Sequence, residues 1–161
     1  MSARPDVSIV IPFYNRNEEV RPCLRSIIRQ KIHGKTFEIV VVDNGSDDGT
    51  MGDLHHHARA SEVRDDFPPI QFVLCKTRGP AAARNAGLKA ARGEIIVTID
   101  SDCVAPDGWL EKLIAPFDDP KVKIVGGRIL AKRLDVGPAF FAETARVLNQ
   151  REFFEGKRDQ M

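Results

Sequence analysis

Asp100 and Asp102 sit two residues apart at the end of a run of β-branched residues, in EIIVTIDSDC over 94–103. Two carboxylates that close repel, and they stay together only where water, a cation or a positive partner compensates. Three other apolar runs also lead into residues with chemistry: VSIVIPFYNR brings Tyr14 to the end of 7–13, FEIVVVD closes on Asp43, and IQFVLCKTRGP leads to Arg78. Each is weak by itself. D-S-D makes an ordinary solvated turn, Tyr14 can pack on a rim, and Arg78 can be a solvated loop charge. DNGSDDGT reads as turn chemistry, with Asp48 capping the following helix. Asn44, Gly45, Ser46 and Asp48 are therefore taken as turn residues, and Asp43 alone as functional. The signal is the coincidence of these groups at four successive strand ends. An open parallel sheet binds ligands outside the carboxyl ends of its strands, where strand order reverses. Convergent polar groups over an apolar floor make a binding site.

The elements that would position these residues are legible as apolar runs. Segments 7–13, 37–43, 70–75, 94–100 and 122–130 are predicted strands, several almost continuously Val and Ile. Strands buried on both faces read this way, and both-face burial points to a parallel sheet covered by helices on each side. Helices are expected over 17–31, where Val20, Leu24, Ile27 and Ile28 form one stripe and Pro22 disturbs the first turn. Others are expected over 50–61, over 80–92 with Pro80 at the first helical position and Gly93 just past the end, and over 106–117 with Trp109, Leu110, Leu113 and Ile114 on one side. A further helix follows Gly137. Alternating strands and helices imply a single three-layer α/β/α domain over 1–161 with a mostly parallel sheet and right-handed crossovers.

Composition excludes several functions. The 161 residues are 42% apolar and 29% charged, with a formal net charge of +1, and no Lys/Arg run offers a surface for nucleic acid. No apolar stretch approaches the roughly 20 residues of a membrane span, and the N-terminal apolar run is too short for a signal peptide. Three scattered cysteines, Cys23, Cys75 and Cys103, without a CxxC pair, fit a reduced cytoplasmic protein. Cys103, beside the carboxylates, is expected to hold its proton and not to act as a nucleophile. The His55–His57 run cannot chelate one ion from a helix, because consecutive residues face different directions. Neither a P-loop nor a Rossmann glycine pattern follows the first run, so those phosphate cradles are absent from the sequence.

VSIVIPFYNR, FEIVVVDNGSDDGT, RGPAAARNAGLKAARGEIIVTIDSDCVAPDGWL and IVGGRI, in that order and spacing, resemble family 2 of the glycosyltransferases across roughly residues 6 to 130. The resemblance implies the Rossmann-like GT-A fold, a nucleotide-sugar donor and a D-x-D element working with Mg²⁺ or Mn²⁺. It implies that Pro12 and Tyr14 line the base pocket and that Asp43 accepts hydrogen bonds from a uracil-type ring or its ribose. It places Arg78 on a loop closing over the nucleotide, Asp100 towards the ribose and metal-bound waters, and Asp102 on the metal itself. Arg84 and Asn85 match the family's "ARN" element and would support the loop. The physics agrees: a departing nucleoside diphosphate gathers negative charge, a divalent cation stabilises it, and hard carboxylate oxygens suit such a cation.

An inverting transfer also needs a general base, which the resemblance places in an acidic motif beyond this sequence. Glu143, Glu152 and Glu155 read as exposed helix charges instead. The expectation is a truncated donor-binding domain with 131–161 as a helical extension, lacking the acceptor half or borrowing it from a partner chain or a second copy. It would use a UDP-sugar or similar donor and a glycan, lipid-linked or other hydroxyl acceptor. Two rivals stand beside it: a nucleotidyltransferase, which should show a Gly-rich, basic signature after the first strand, and a nucleotide-sugar-binding domain without catalysis.

Overall fold

A computed structural model describes residues 4–61 and 67–130. The chain divides into two units, residues 1–125 and 126–161, and every element below lies in the first. Four strands, β1 (Val7–Phe13), β2 (Phe37–Asp43), β3 (Ile70–Leu74) and β4 (Ile95–Thr98), form one sheet in the order β3-β2-β1-β4. Every pairing is parallel; Val7 lies opposite Phe37 on one side and Ile95 on the other. The helices are α1 (Asn17–Ile28), α2 (Thr50–Ser61), α3 (Pro80–Ala90) and α4 (Trp109–Ile114), followed by a 3₁₀ turn over Ala115–Asp118.

The Val/Ile runs of the central strands β1 and β2 are buried on both faces, as their lack of alternation requires, whereas the edge strands β3 and β4 leave Leu74 and Ile96 exposed. Val7, Ile9, Ile11 and Phe13 of β1 join Ile39 and Val41 of β2 in a core sealed by Val20, Leu24 and Ile27 of α1, Leu54 of α2, and Leu110 and Ile114 of α4. Val10, Val40 and Val42 face the other way, against Ala83 of α3 with Ala82, Ala86 and Ala90 around it. The three layers of the sequence reading are present, one helix on one face and three on the other. Small residues let α3 sit close: a Cβ on Gly87 would fall 2.3 Å from Val10 Cγ1. Burying a side chain such as Ile9 or Ile39, both fully enclosed, contributes about 1.5–3 kcal/mol.

Several boundaries differ from the sequence reading, each for a local reason. The run 122–130 forms no strand; it pairs with nothing among the described residues, Gly126 and Gly127 interrupt it, and Ile124 is 90% exposed. Helix α1 stops at Ile28 instead of 31 and continues through the exposed Pro22. Just beyond its end, buried Gln30 turns inward, its Nε2 donating to Ser26 O and Pro106 O and its Oε1 accepting from Leu110 N–H. Pro106 thus belongs to the turn that anchors α1, and α4 begins only after Gly108, whose φ of +71° breaks the helix. Helix α3 ends at Ala90 because Arg92 N–H is drawn to Glu38 Oε1 at 2.9 Å. The β3 and β4 ladders end at Leu74 and Thr98, though Cys75 N–H still donates to Asp43 O and Ile99 N–H to Val10 O.

Candidate functional site

Strand order reverses between β1 and its two neighbours: the chain steps outward from β1 to β2 to β3, then returns to lay β4 on the other side. The crevice this leaves at the carboxyl ends of β1 and β4 is where an α/β sheet takes its ligand. A cleft of about 780 Å³ occupies it. Pro12, Tyr14, Arg78, Asp100 and Asp102 all line this cleft, so five of the six residues singled out from the sequence converge there.

Asp43 is the exception. It does not line the cleft; it is 4% exposed, and its Oδ1 accepts the Ser46 N–H at 2.8 Å, closing the turn after β2. Its neighbour Asn44, taken from the sequence as a turn residue, is on the cleft wall. Asn44 is buried, its Nδ2 donates to Thr77 O at 2.6 Å, and its Oδ1 accepts Gly79 N–H at 2.7 Å. It fastens the tip of β2 to the loop that carries Arg78. Asp48 caps α2 as expected, accepting from Thr50 N–H at 3.0 Å and Thr50 Oγ1–H at 2.6 Å.

Other links tie the remaining tips together. Asn15 takes a left-handed conformation, φ 47°, which asparagine tolerates better than most side chains. That turn lets its N–H donate to Ser46 Oγ, its Nδ2 to Asp47 Oδ1 and its Oδ1 accept Asp47 N–H, at 2.7–3.0 Å. Arg78 spans from the β3 end to the β1 end, donating to Tyr14 Oη at 2.9 Å with its guanidinium 5.1 Å from the ring centre. Arg84, on the first turns of α3, donates to Asp100 Oδ1 at 2.7 Å. Arg16, between β1 and α1, stands 3.5 Å from Asp102 Oδ2. Asn85 lies exposed on α3 and away from the cleft. Asn15, Arg16 and Glu19 line the cleft without having been singled out from the sequence, and Asn44 had been read as a turn residue. The Asn-Arg pair following Tyr14 and the Asn following Asp43 were visible at the same strand ends.

The cleft's charges balance. Its ionised lining is three arginines, Arg16, Arg78 and Arg84, and three carboxylates, Glu19, Asp100 and Asp102. The side chains of Asp100 and Asp102 are 58% and 53% exposed, and no third His, Cys, Asp or Glu joins them in a metal-binding group among the described residues. Two hard, water-accessible oxygen ligands fit a divalent ion that completes its shell with phosphate oxygens and water, as Mg²⁺ and Mn²⁺ do; they do not make a closed protein cage. Helix α3 meets the cleft with its first turn and has no side-chain cap, so the positive end of its dipole favours an anion there. The thiols near the carboxylates hold their protons more firmly than a free cysteine: burial, then Cys103, Asp102 and Asp100, push Cys23 up to about 12, and burial followed by Asp102 and Asp100 raises Cys103.

Residues 8–160 match the profile described as Glycosyl transferase family 2. Glycosyltransferase AglE of Haloferax volcanii is 34% identical over 128 residues, covering 80% of this chain and 40% of the relative. The mannosyltransferase PcManGT of Pyrobaculum calidifontis, solved with GDP-Man and Mn²⁺, superposes with a TM-score of 0.62 at 32% identity, over 75% of this chain and 34% of that one. TarS of S. aureus, solved with UDP-GlcNAc, gives a TM-score of 0.60 at 27% identity, over 79% of this chain and 37% of that one. The chain therefore spans well under half the length of these relatives. Its four-stranded parallel sheet is that of the GT-A enzymes.

Proposed function

Given that the chain belongs to glycosyl transferase family 2, we propose that this cleft binds a nucleoside-diphosphate sugar together with a divalent cation, and that the sugar is transferred with inversion to an acceptor hydroxyl. The observation that carries the reading is the meeting of Asp100 and Asp102 with Arg16, Arg78 and Arg84 at the reversal point of the sheet. Family membership sets the nucleotidyltransferase reading aside.

In the proposed complex Asp102, helped by Asp100, holds the cation, which when bound supplies Lewis-acid stabilisation of the departing diphosphate. The chain's own residues do the rest. Pro12 forms the floor beneath the nucleotide. Tyr14, 41% exposed, offers its ring to the base once Arg78 swings from it towards the phosphates. Arg78, once turned, and Arg84 face the oxygens on which charge develops and offer them positively charged donors. A UDP-sugar is the first donor to test, and the acceptor is proposed to be a glycan, lipid-linked or similar hydroxyl. The proposed setting is cytoplasmic; among the described residues no helix is long and apolar enough to cross a membrane.

Calorimetric titration with UDP and GDP, with and without Mn²⁺, on the wild type and Asp102→Ala tests this. Binding by the wild type that tightens at least tenfold with Mn²⁺, and loses that gain in Asp102→Ala, supports it. Binding indifferent to Mn²⁺, or none with either nucleotide, refutes it.

A further inference from the structure

We propose that Arg16 is a built-in counter-ion for Asp102, and that it couples uptake of the divalent cation to uptake of the nucleoside diphosphate; the inference rests on the donor-site reading above.

The two arginines on the carboxylate pair are not equivalent. Arg84 makes a well-formed hydrogen bond of 2.7 Å to Asp100 from a helix. Arg16 meets Asp102 at 3.5 Å, beyond the range of a good N–H···O bond, from the non-helical residue before α1. It is a loose ion pair between side chains 47% and 53% exposed, the kind that costs little to break. Arg16 also has a second carboxylate at hand, since the same Nη1 lies 3.8 Å from Glu19 Oε1. When a cation takes Asp102, Arg16 keeps Glu19 of the adjoining helix α1 as a partner and remains on the cleft wall, where its charge faces an incoming diphosphate.

Charge explains why the two ligands should arrive together. The ionised lining sums to zero, three arginines against three carboxylates. A divalent cation alone leaves the cleft two charges positive, with Arg16 beside it. A nucleoside-diphosphate sugar alone leaves it two charges negative. Together they restore neutrality. Each ligand thus raises the affinity for the other, and linkage makes the effect reciprocal.

The test is Mn²⁺ binding measured from the free-ion electron paramagnetic resonance signal, first without nucleotide and then with UDP or GDP. Variants are Arg16→Ala, Arg16→Gln and, as a control removing the same charge from an exposed position of α1 outside the cleft, Arg25→Ala. Both Arg16 variants should bind Mn²⁺ alone about three- to tenfold more tightly than wild type. The factor by which nucleotide tightens Mn²⁺ should shrink with them, and Arg25→Ala should change neither. Unchanged or weaker Mn²⁺ binding by the Arg16 variants, or an equal gain in Arg25→Ala, overturns the counter-ion role while leaving the donor site standing. A wild type that binds neither nucleotide in the presence of Mn²⁺ overturns both.

Discussion

Asn44→Ala should unfasten the β2 tip from the loop beneath Arg78, and the size of the effect can be worked from the bonds. The side chain makes two short hydrogen bonds, to Thr77 O at 2.6 Å and from Gly79 N–H at 2.7 Å, and a long one to Cys75 O at 3.4 Å. A neutral bond contributes about 1 kcal/mol net, and a group left buried without a partner costs about 1–3 kcal/mol. Thr77 is exposed, so water can replace the lost donor there; Gly79 is only partly exposed and its N–H is the one that suffers. The sum is about 2–3 kcal/mol, or about 4–12 °C in Tm for a domain of this size. Asn44→Asp is the sharper companion: it keeps the acceptor for Gly79 but turns a carboxylate oxygen towards two carbonyls, and should cost at least as much. Urea unfolding followed by circular dichroism measures both. With the loop's anchor gone, UDP or GDP affinity should fall while Mn²⁺ binding alone stays the same. A loss in Asn44→Ala below about 0.5 kcal/mol, the range of an ordinary surface change, would refute the claim that this side chain holds the site's wall.

Three further expectations follow from other parts of the fold. Gly93→Ala should destabilise more than Gly87→Ala in the same urea assay, by about 1–3 kcal/mol or more. A Cβ on Gly93 meets backbone, Ser8 N at 2.5 Å and Val7 C at 2.6 Å, whereas one on Gly87 meets only side-chain atoms, of Val10 and Val42, and gains helix propensity. Burial pushes Glu38 up, but hydrogen bonds from Arg92 and Ser8 outweigh it and hold its carboxyl below the ordinary range. A depressed folded value means stability present above the unfolded pKa and lost as pH falls through the folded one. Glu38→Gln should therefore cost about 1–3 kcal/mol at neutral pH and flatten the acid limb of a stability profile. The Glu111 carboxylate, hydrogen-bonded at 2.5 Å, raises His33 above its usual value; in Glu111→Gln the imidazole should titrate lower by NMR, and its contribution, present at low pH and lost as pH rises through the raised value, should vanish.

Apolar runs carried most of the architecture, because a strand buried on both faces needs unbroken Val and Ile wherever it occurs. VSIVIPF and FEIVVVD were placed to the residue. The run 122–130 is also rich in Val and Ile but is broken by Gly126 and Gly127. It makes no ladder among the described residues, since a strand exists only where a neighbouring backbone accepts its hydrogen bonds. The polar tips were legible one at a time but not as a network. Tyr14, Arg78, Asp100 and Asp102 could be picked by residue type and position. Asn44 and Asp43 are adjacent, and nothing in DNGSDDGT says which faces the cleft and which folds back on Ser46. That depends on the partner 35 residues away, Gly79, whose φ of +119° turns its N–H to meet Asn44. Arg16 was hidden similarly, since its partner Asp102 belongs to a strand end far off in sequence.

Those long-range ties bear on why a chain tolerates two carboxylates at one strand tip. Water screens part of their repulsion, since both side chains are more than half exposed. Arg84 and Arg16 offset the rest by pairing with Asp100 and Asp102. On the proposed reading the pairing has a cost in function, because a cation would have to displace a partner the fold already supplies. A firm bond on Asp100 and a loose one on Asp102 divide the two demands: the first fixes the geometry of the turn, and the second yields the oxygen that a diphosphate-bearing cation would take.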